Sequence, residues 1–121
     1  MFLIDSNIII YSYSNQYEYL RSLFFKESVF VSEITRVEVL GYHKLTNEEE
    51  SYFQDIFNFI PIISPSPKIF DTSISIRKAY NLKLADSIIA ATALVHNLSI
   101  YTRNISDFEK TAPISCVNPI I

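Results

Sequence analysis

Among 121 residues there is one cysteine, one glycine, one methionine and no tryptophan. A lone Cys116 excludes an intrachain disulfide framework and fits a reducing compartment. Flanked by Ser115 and Val117, it reads as a core thiol. With two histidines and one cysteine, no soft or imidazole ligand set for zinc is on offer. Positive charge is not in excess either: 10 Lys and Arg face 13 Asp and Glu, for a net charge of −3. Such a chain does not grip nucleic acid through a dominant basic field, which needs many cations on one face. Nucleic acid stays open as a substrate, because an acidic pocket can recruit a divalent metal that binds phosphate oxygens. No apolar run approaches the roughly 18 residues of a membrane helix, and no basic segment precedes a signal-like core. The expectation is a cytoplasmic chain with no membrane partner.

Apolar residues make up 49% of the chain, so disorder is excluded and a core is affordable. No repeat, linker or low-complexity tract interrupts the chain, which reads as one domain over residues 1–121. Phe2-Leu3-Ile4 is a short buried strand that stops abruptly at Asp5, Ser6 and Asn7. Gln16 to Lys26 carries Tyr19, Leu20, Leu23 and Phe24 at helical spacing, read as core-facing. Val29-Phe30-Val31 is a second strand, and Ser32 caps a helix from Glu33 to about Lys44. On that helix Ile34, Val37, Glu38 and Gly41 fall on one stripe, which turns Glu38 inward. Neither Arg36 nor Lys44 stands at the favourable spacing to pair with it.

Thr46 and Glu49 form a capping box opening a helix to about Phe59, and Glu48 to Glu50 complement its dipole. Ile60 to Ile63 is a strand. Pro65-Ser66-Pro67 then starts a helix from Lys68 to Tyr80, with Ile69, Ile76 and Tyr80 apolar. Alanines 85, 90, 91 and 93 mark the next helix as central and buried, with Asp86 in its first turn and Asn97 at its left-handed end. Ser99 to Tyr101 is a strand leading into Thr102, Asn104 and Asp107; Phe108 anchors the turn, and Ile114 to Val117 is the last strand. Strands alternating with helices predict a three-layer α/β/α sandwich around a mostly parallel sheet of about five strands. In such sheets ligands bind beyond the carboxyl ends of the strands, where Asp5 and the Thr102–Asp107 segment lie.

Four carboxylates, Asp5, Glu38, Asp86 and Asp107, in one cleft repel one another unless a cation intervenes. Oxygen donors alone select Mg²⁺ or Mn²⁺, whose bound water can attack a phosphodiester. The phosphates of such a substrate have candidate contacts in Arg36, Lys83 and Arg103. His43 and His96 sit near helix ends, where dipole interactions account for them.

Leu3-Ile4-Asp5-Ser6-Asn7, Ser32 to Glu38, Leu84 to Ala91 and Thr102 to Phe108 resemble, in order and spacing, the four signature segments of PIN-domain ribonucleases. The likeness covers essentially the whole chain and is strongest to VapC-type toxins of toxin–antitoxin modules. It implies a Mg²⁺-dependent endoribonuclease whose metal and catalytic acids are Asp5, Glu38, Asp86 and Asp107. Asn7, Thr102 and Asn104 would support them. It also implies a homodimer and a cognate antitoxin that covers the acidic groove. Ser6 stands where Thr is commoner, and Asn104 where some relatives carry a carboxylate. Two other readings use the same acids: a catalytically silent PIN-like binding or dimerisation module, and a flavodoxin-like phosphoacceptor, which leaves Glu38 without a role.

Overall fold

The computed structural model describes residues 1–26, 28–111 and 113–121. Five strands form one sheet: β1 (Phe2–Ile4), β2 (Val29–Ser32), β3 (Ile62–Ile63), β4 (Ser99–Tyr101) and β5 (Cys116–Val117). Their order is β3-β2-β1-β4-β5 and every pairing is parallel. Among the described residues six α-helices cover it: α1 (Ser6–Ser12), α2 (Glu33–Leu40), α3 (Asn47–Phe59), α4 (Pro67–Tyr80), α5 (Leu84–His96) and α6 (Ile105–Glu109).

Strand alternation divides the apolar residues between two layers. Ile4, Val29, Val31 and Tyr101 pack against α1, α3 and Val39 of α2 on one face. Leu3 and Ile100 pack against α4, α5 and Phe108 of α6 on the other. Because the central strands β1, β2 and β4 bury both of their faces, their sequences read as continuous apolar runs, as parallel sheets require. The three-layer α/β/α architecture is therefore the observed one, and the order of its strands differs from the flavodoxin-like 2-1-3-4-5 arrangement.

The elements begin and end where local chemistry dictates. Thr46 and Glu49 make both hydrogen bonds of the capping box, at 3.1 Å each. The Ser32 and Ser66 hydroxyls accept from the amides of Ile34 and Ile69. Helices α4 and α5 end on left-handed asparagines, Asn81 and Asn97 (φ 54° and 55°), the residue type that replaces glycine at least cost there.

Several expectations are corrected. Helix α2 stops at Leu40, with Gly41 as its cap, because glycine weakens a helix end and the following residues turn away. The stretch Asn15–Phe25 is a 3-10 segment broken at Tyr17 (φ −116°, ψ 21°) rather than a regular helix. Leu20, Leu23 and Phe24 are core as expected, but Tyr19 is exposed, and so is Tyr80 in the last turn of α4. The edge strands β3 and β5 shrink to two residues each, since one neighbour alone supports an edge. Cys116, on edge strand β5, is half-buried rather than core; burial first, then the Glu109 and Asp5 charges, push its thiol up. None of the helices among the described residues is long and apolar enough to cross a membrane.

On helix α5, Ala90, Ala91 and Ala93 are buried, and the Ser87 hydroxyl bonds the Ser73 hydroxyl of α4 at 2.7 Å. Ala90→Leu is expected to cost about 1–3 kcal/mol through overpacking, read as a lower melting temperature. On α2, buried Thr35 has a hydroxyl with no hydrogen-bond partner. Thr35→Val is expected to raise stability by up to about 1 kcal/mol in a denaturant titration, because a desolvated, unpaired group is removed at constant shape.

Candidate active site

Strand β1 pairs with β2 on one side and β4 on the other, so the connections leave in opposite directions from β1 and β4. The crevice at that switch point is where an open parallel sheet offers a binding site. Asp5, the residue after β1, occupies it and is buried. Its backbone is extended (φ −75°, ψ 156°), and its Oδ1 accepts from the Ser6 amide at 2.9 Å, so it also caps α1. Its Oδ2 accepts from the Thr102 hydroxyl at 2.9 Å and from Asn7 Nδ2 at 3.3 Å. Thr102 follows β4 and is itself fully buried, so this bond ties the two central strand ends together.

Three donors do not make Asp5 an ordinary surface acid. Burial raises its carboxyl above the usual range; the bonds from Thr102 and Ser6 pull it down, and the charge of Asp86 adds to the rise. Glu38 is likewise raised, by loss of water and by the charges of Asp5 and Asp86, with Ser6 opposing. Asp86 is raised by burial and by the charge of Asp107, and Lys83 opposes. Asp86 thus feels or exerts repulsion toward all three other acids, and the fold brings the set of four into one electrostatic neighbourhood.

Their placement departs from expectation in one respect. Glu38 is not turned into the core: the buried face of α2 is Thr35 and Val39, while Val37 and Glu38 are exposed. Residue 38 is about 100° around the helix from residue 39, so it flanks the buried face. Helix α2 touches both α1 and α5, and this puts the Glu38 carboxyl at the open mouth of the cleft beside Asp5 and Asp86. Arg36 is bonded to Glu33, with contacts of 2.6–3.0 Å, and leaves Glu38 alone. That pair also lowers the Glu33 carboxyl.

Asp86 makes no cap for α5: Lys83 is the capping position and no side-chain bond closes it. Asp86 therefore does not serve as the helix cap, although the helix dipole still favours a carboxylate there. Asp107, in the first turn of α6, accepts from Asn104 Nδ2 at 2.6 Å, and the Asn104 amide donates to Thr102 Oγ1 at 2.9 Å. Asn7 joins the two halves of the site, since its Oδ1 accepts from the Arg103 amide at 3.1 Å. His96 closes the far end of α5, about 15 Å along the helix from Asp86, and His43 lies against Tyr42; neither reaches the acids.

The sequence reading missed two groups. Ser6, whose hydroxyl bears on Glu38, and Tyr11, which meets Arg103, belong to α1. Tyr11 stands four residues after Asn7 and so shares its helix face. That spacing is the signal that marks it.

Among the described residues no three carboxylates, histidines or cysteines converge as a closed metal cage. Coupled pairs of carboxylates around an open cleft are compatible with a hard ion that takes one or two carboxylates and keeps its waters. They do not fit a fully enclosed site.

A five-stranded parallel sheet in this order, with carboxylates gathered at the switch point, defines a doubly wound α/β protein with an acidic crevice in place of a glycine-rich phosphate loop. The model of one family, the PIN domain, matches residues 2–112, and the chain belongs to that family. Among solved structures it is similar to a chain of a toxin–antitoxin complex from Klebsiella pneumoniae, with 33% identity, 99% of this chain and 98% of that one covered, and a TM-score of 0.82. It is also similar to a chain of FitAB bound to an IR36 DNA fragment, at 27% identity, 98% and 95% coverage and a TM-score of 0.82. Similarity to VapBC2 from Rickettsia felis, bound to a DNA fragment from its promoter, is at 20% identity, 97% coverage of both chains and a TM-score of 0.80, which speaks to fold alone. No curated protein sequence matches the chain.

Proposed function

We propose that this chain is the toxin of a type II toxin–antitoxin pair, a VapC-type endoribonuclease that depends on Mg²⁺, or Mn²⁺ in its place, and acts in the cytoplasm. The observation that carries the proposal is the gathering of Asp5, Glu38 and Asp86 at the switch point, each carboxyl raised by burial and by an acidic neighbour, with Lys83 beside Asp86 only partly offsetting the rise there. Membership of a family of nucleases and the 33% identity to a chain from a toxin–antitoxin complex support it.

Of Asp5, Glu38, Asp86 and Asp107, one or two would hold the ion directly and the others would hold its waters; the ion when bound would polarise a phosphoryl oxygen and lower the pKa of a water. The chain's own residues fix the geometry around it. Thr102, Asn7 and the Ser6 amide leave Asp5 one orientation, and Asn104 does the same for Asp107. Such second partners typically account for about 10–100-fold in metal affinity or activity. Of the basic candidates, Arg36 is engaged by Glu33 and Lys83 lies beside Asp86, which leaves Arg103 the best placed for phosphate.

The partners of this reading are RNA, a cognate antitoxin whose segment covers the acidic crevice, and a second copy of the chain. Phe70 and Ile74, one turn apart on the exposed side of α4, are an apolar pair suited to burial by that copy. The open arrangement of the acids is the one feature that favours the silent PIN-like module instead. Induced expression in a bacterial host separates the two readings. Growth arrest with fragmented RNA, absent with Asp5→Asn and relieved by the antitoxin, is the expected result; equal growth of cells making soluble wild type and Asp5→Asn favours the silent module.

A further inference from the structure

We infer that the pocket beside the acidic cleft is a nucleotide-binding subsite in which Arg103 takes a phosphate and its attached base, and Tyr11 positions Arg103 for the task. The inference rests on the nuclease reading and names a substrate subsite within it. A pocket of about 570 Å³ is lined by Asn7, Ile10, Tyr11, Arg103 and Asn104. It adjoins the acids through two of its own walls, because the Asn7 amide donates to Asp5 and the Asn104 amide donates to Asp107. A strand seated on the acids must therefore continue into it or turn away from the protein.

The pocket is built to hold one cation in one place. The Arg103 backbone is fixed by Asn7. Its guanidinium donates to the Tyr11 hydroxyl and lies at that end of the ring, 5.1 Å from the centroid. The ring is held in turn by Tyr17, edge-on at 5.0 Å and 80°. Arg103 makes no ion pair among the described residues, so an exposed guanidinium has been oriented by an uncharged partner and keeps its charge for a ligand.

A guanidinium held at its edge by one N–H keeps its plane and its remaining N–H groups open to the pocket. The open face suits a base and the N–H fork suits a phosphate, which together make one nucleotide of an unpaired strand. The exposed Ile10 supplies apolar wall for the sugar or base edge. A duplex has no splayed base to offer, so single-stranded RNA is the occupant. Tyr11 is a positioning residue: its hydroxyl is engaged by Arg103, and it acts through Arg103 rather than on the substrate.

The test measures binding of a fluorescent single-stranded oligoribonucleotide in EDTA, and kcat and KM for its Mn²⁺-dependent cleavage, for wild type, Arg103→Ala, Arg103→Lys and Tyr11→Phe. A thermal melt and a Mn²⁺ titration accompany each. Arg103→Ala is expected to weaken binding and raise KM about tenfold, with kcat and Mn²⁺ affinity held within about twofold. Arg103→Lys should recover part of the loss, since it keeps the charge but not the plane, and Tyr11→Phe should show a smaller loss of the same kind. A matched duplex is expected to bind more weakly than the single strand and to be indifferent to all three changes. Variants that bind RNA like wild type, while wild type still cleaves with Mn²⁺, overturn the subsite and leave the nuclease reading intact. A fall in kcat and Mn²⁺ affinity instead of binding overturns it too, by showing that the pair only props up the acids. If folded wild type neither binds nor cleaves RNA, the nuclease reading falls and the subsite with it. Should Arg103→Ala fail to fold, Tyr11→Phe decides the matter on the same readouts.

Discussion

Asp86→Asn is expected to lower metal-dependent RNA cleavage by about a hundredfold or more, while the protein melts at the same temperature or higher. The two halves of that expectation have one cause. Asp86 is the acid whose charge bears on Asp5 and Glu38, and Asp107 bears on it in turn. Neutralising it removes a ligand for a hard ion and at the same time relieves three repulsions. The amide is close in volume to the carboxyl, and Asp86 makes no capping bond to lose. A structural role predicts the opposite coupling, in which activity and melting temperature fall together. Cleavage rates and thermal melts on the same preparation distinguish them.

Divalent metal should stabilise the protein strongly at neutral pH and hardly at all under mildly acidic conditions. Asp5, Glu38 and Asp86 all have carboxyls raised in the folded state. A group of that kind binds its proton more tightly when folded. Its contribution to stability is complete below the unfolded carboxylate range, near about pH 4, and is lost as pH rises through the raised folded value. In EDTA the melting temperature is therefore expected to fall as pH rises from the ordinary carboxylate range toward neutrality. Glu33, lowered by Arg36, has the opposite sign, but its contribution fades only at pH values below that window. Adding Mn²⁺ at neutral pH to about a hundred times its dissociation constant should restore about 2.7 kcal/mol, or roughly 10 °C in a chain of this size. Asp5→Asn should flatten both the pH slope and the metal response. A melting temperature that climbs steadily from acid to neutral pH in EDTA would show that the raised acids do not govern stability.

Much of this site was legible because its signals are local. Asp5 follows an apolar run so short that it can only be the end of a strand, and the Thr102-to-Phe108 segment repeats that logic after β4. The capping box at Thr46 and the left-handed Asn97 depend on neighbours within a few residues, so their sequence and their structure agree. Glu38 was harder. Its helix has apolar residues on more than one side, and which side faces the core is decided by how α2 rests on α1 and α5 rather than by its own period. The same holds for Tyr19, whose periodicity assumes a regular helix that the break at Tyr17 removes. The Tyr11–Arg103 contact joins residues 92 apart in the chain, and no local pattern encodes a pairing of that kind. Cys116 looked like core from its neighbours, yet an edge strand of two residues leaves it half-covered.

The account stands most directly on cleavage of a defined single-stranded RNA by the purified, antitoxin-free protein in Mg²⁺, in Mn²⁺ and in EDTA, with Asp5→Asn prepared in parallel. It predicts discrete fragments from wild type with either metal, none in EDTA, and at least about a hundredfold less from Asp5→Asn. Cleavage that survives EDTA, or that Asp5→Asn performs as well as wild type, would contradict the assignment of the acidic crevice as the place where the chemistry occurs.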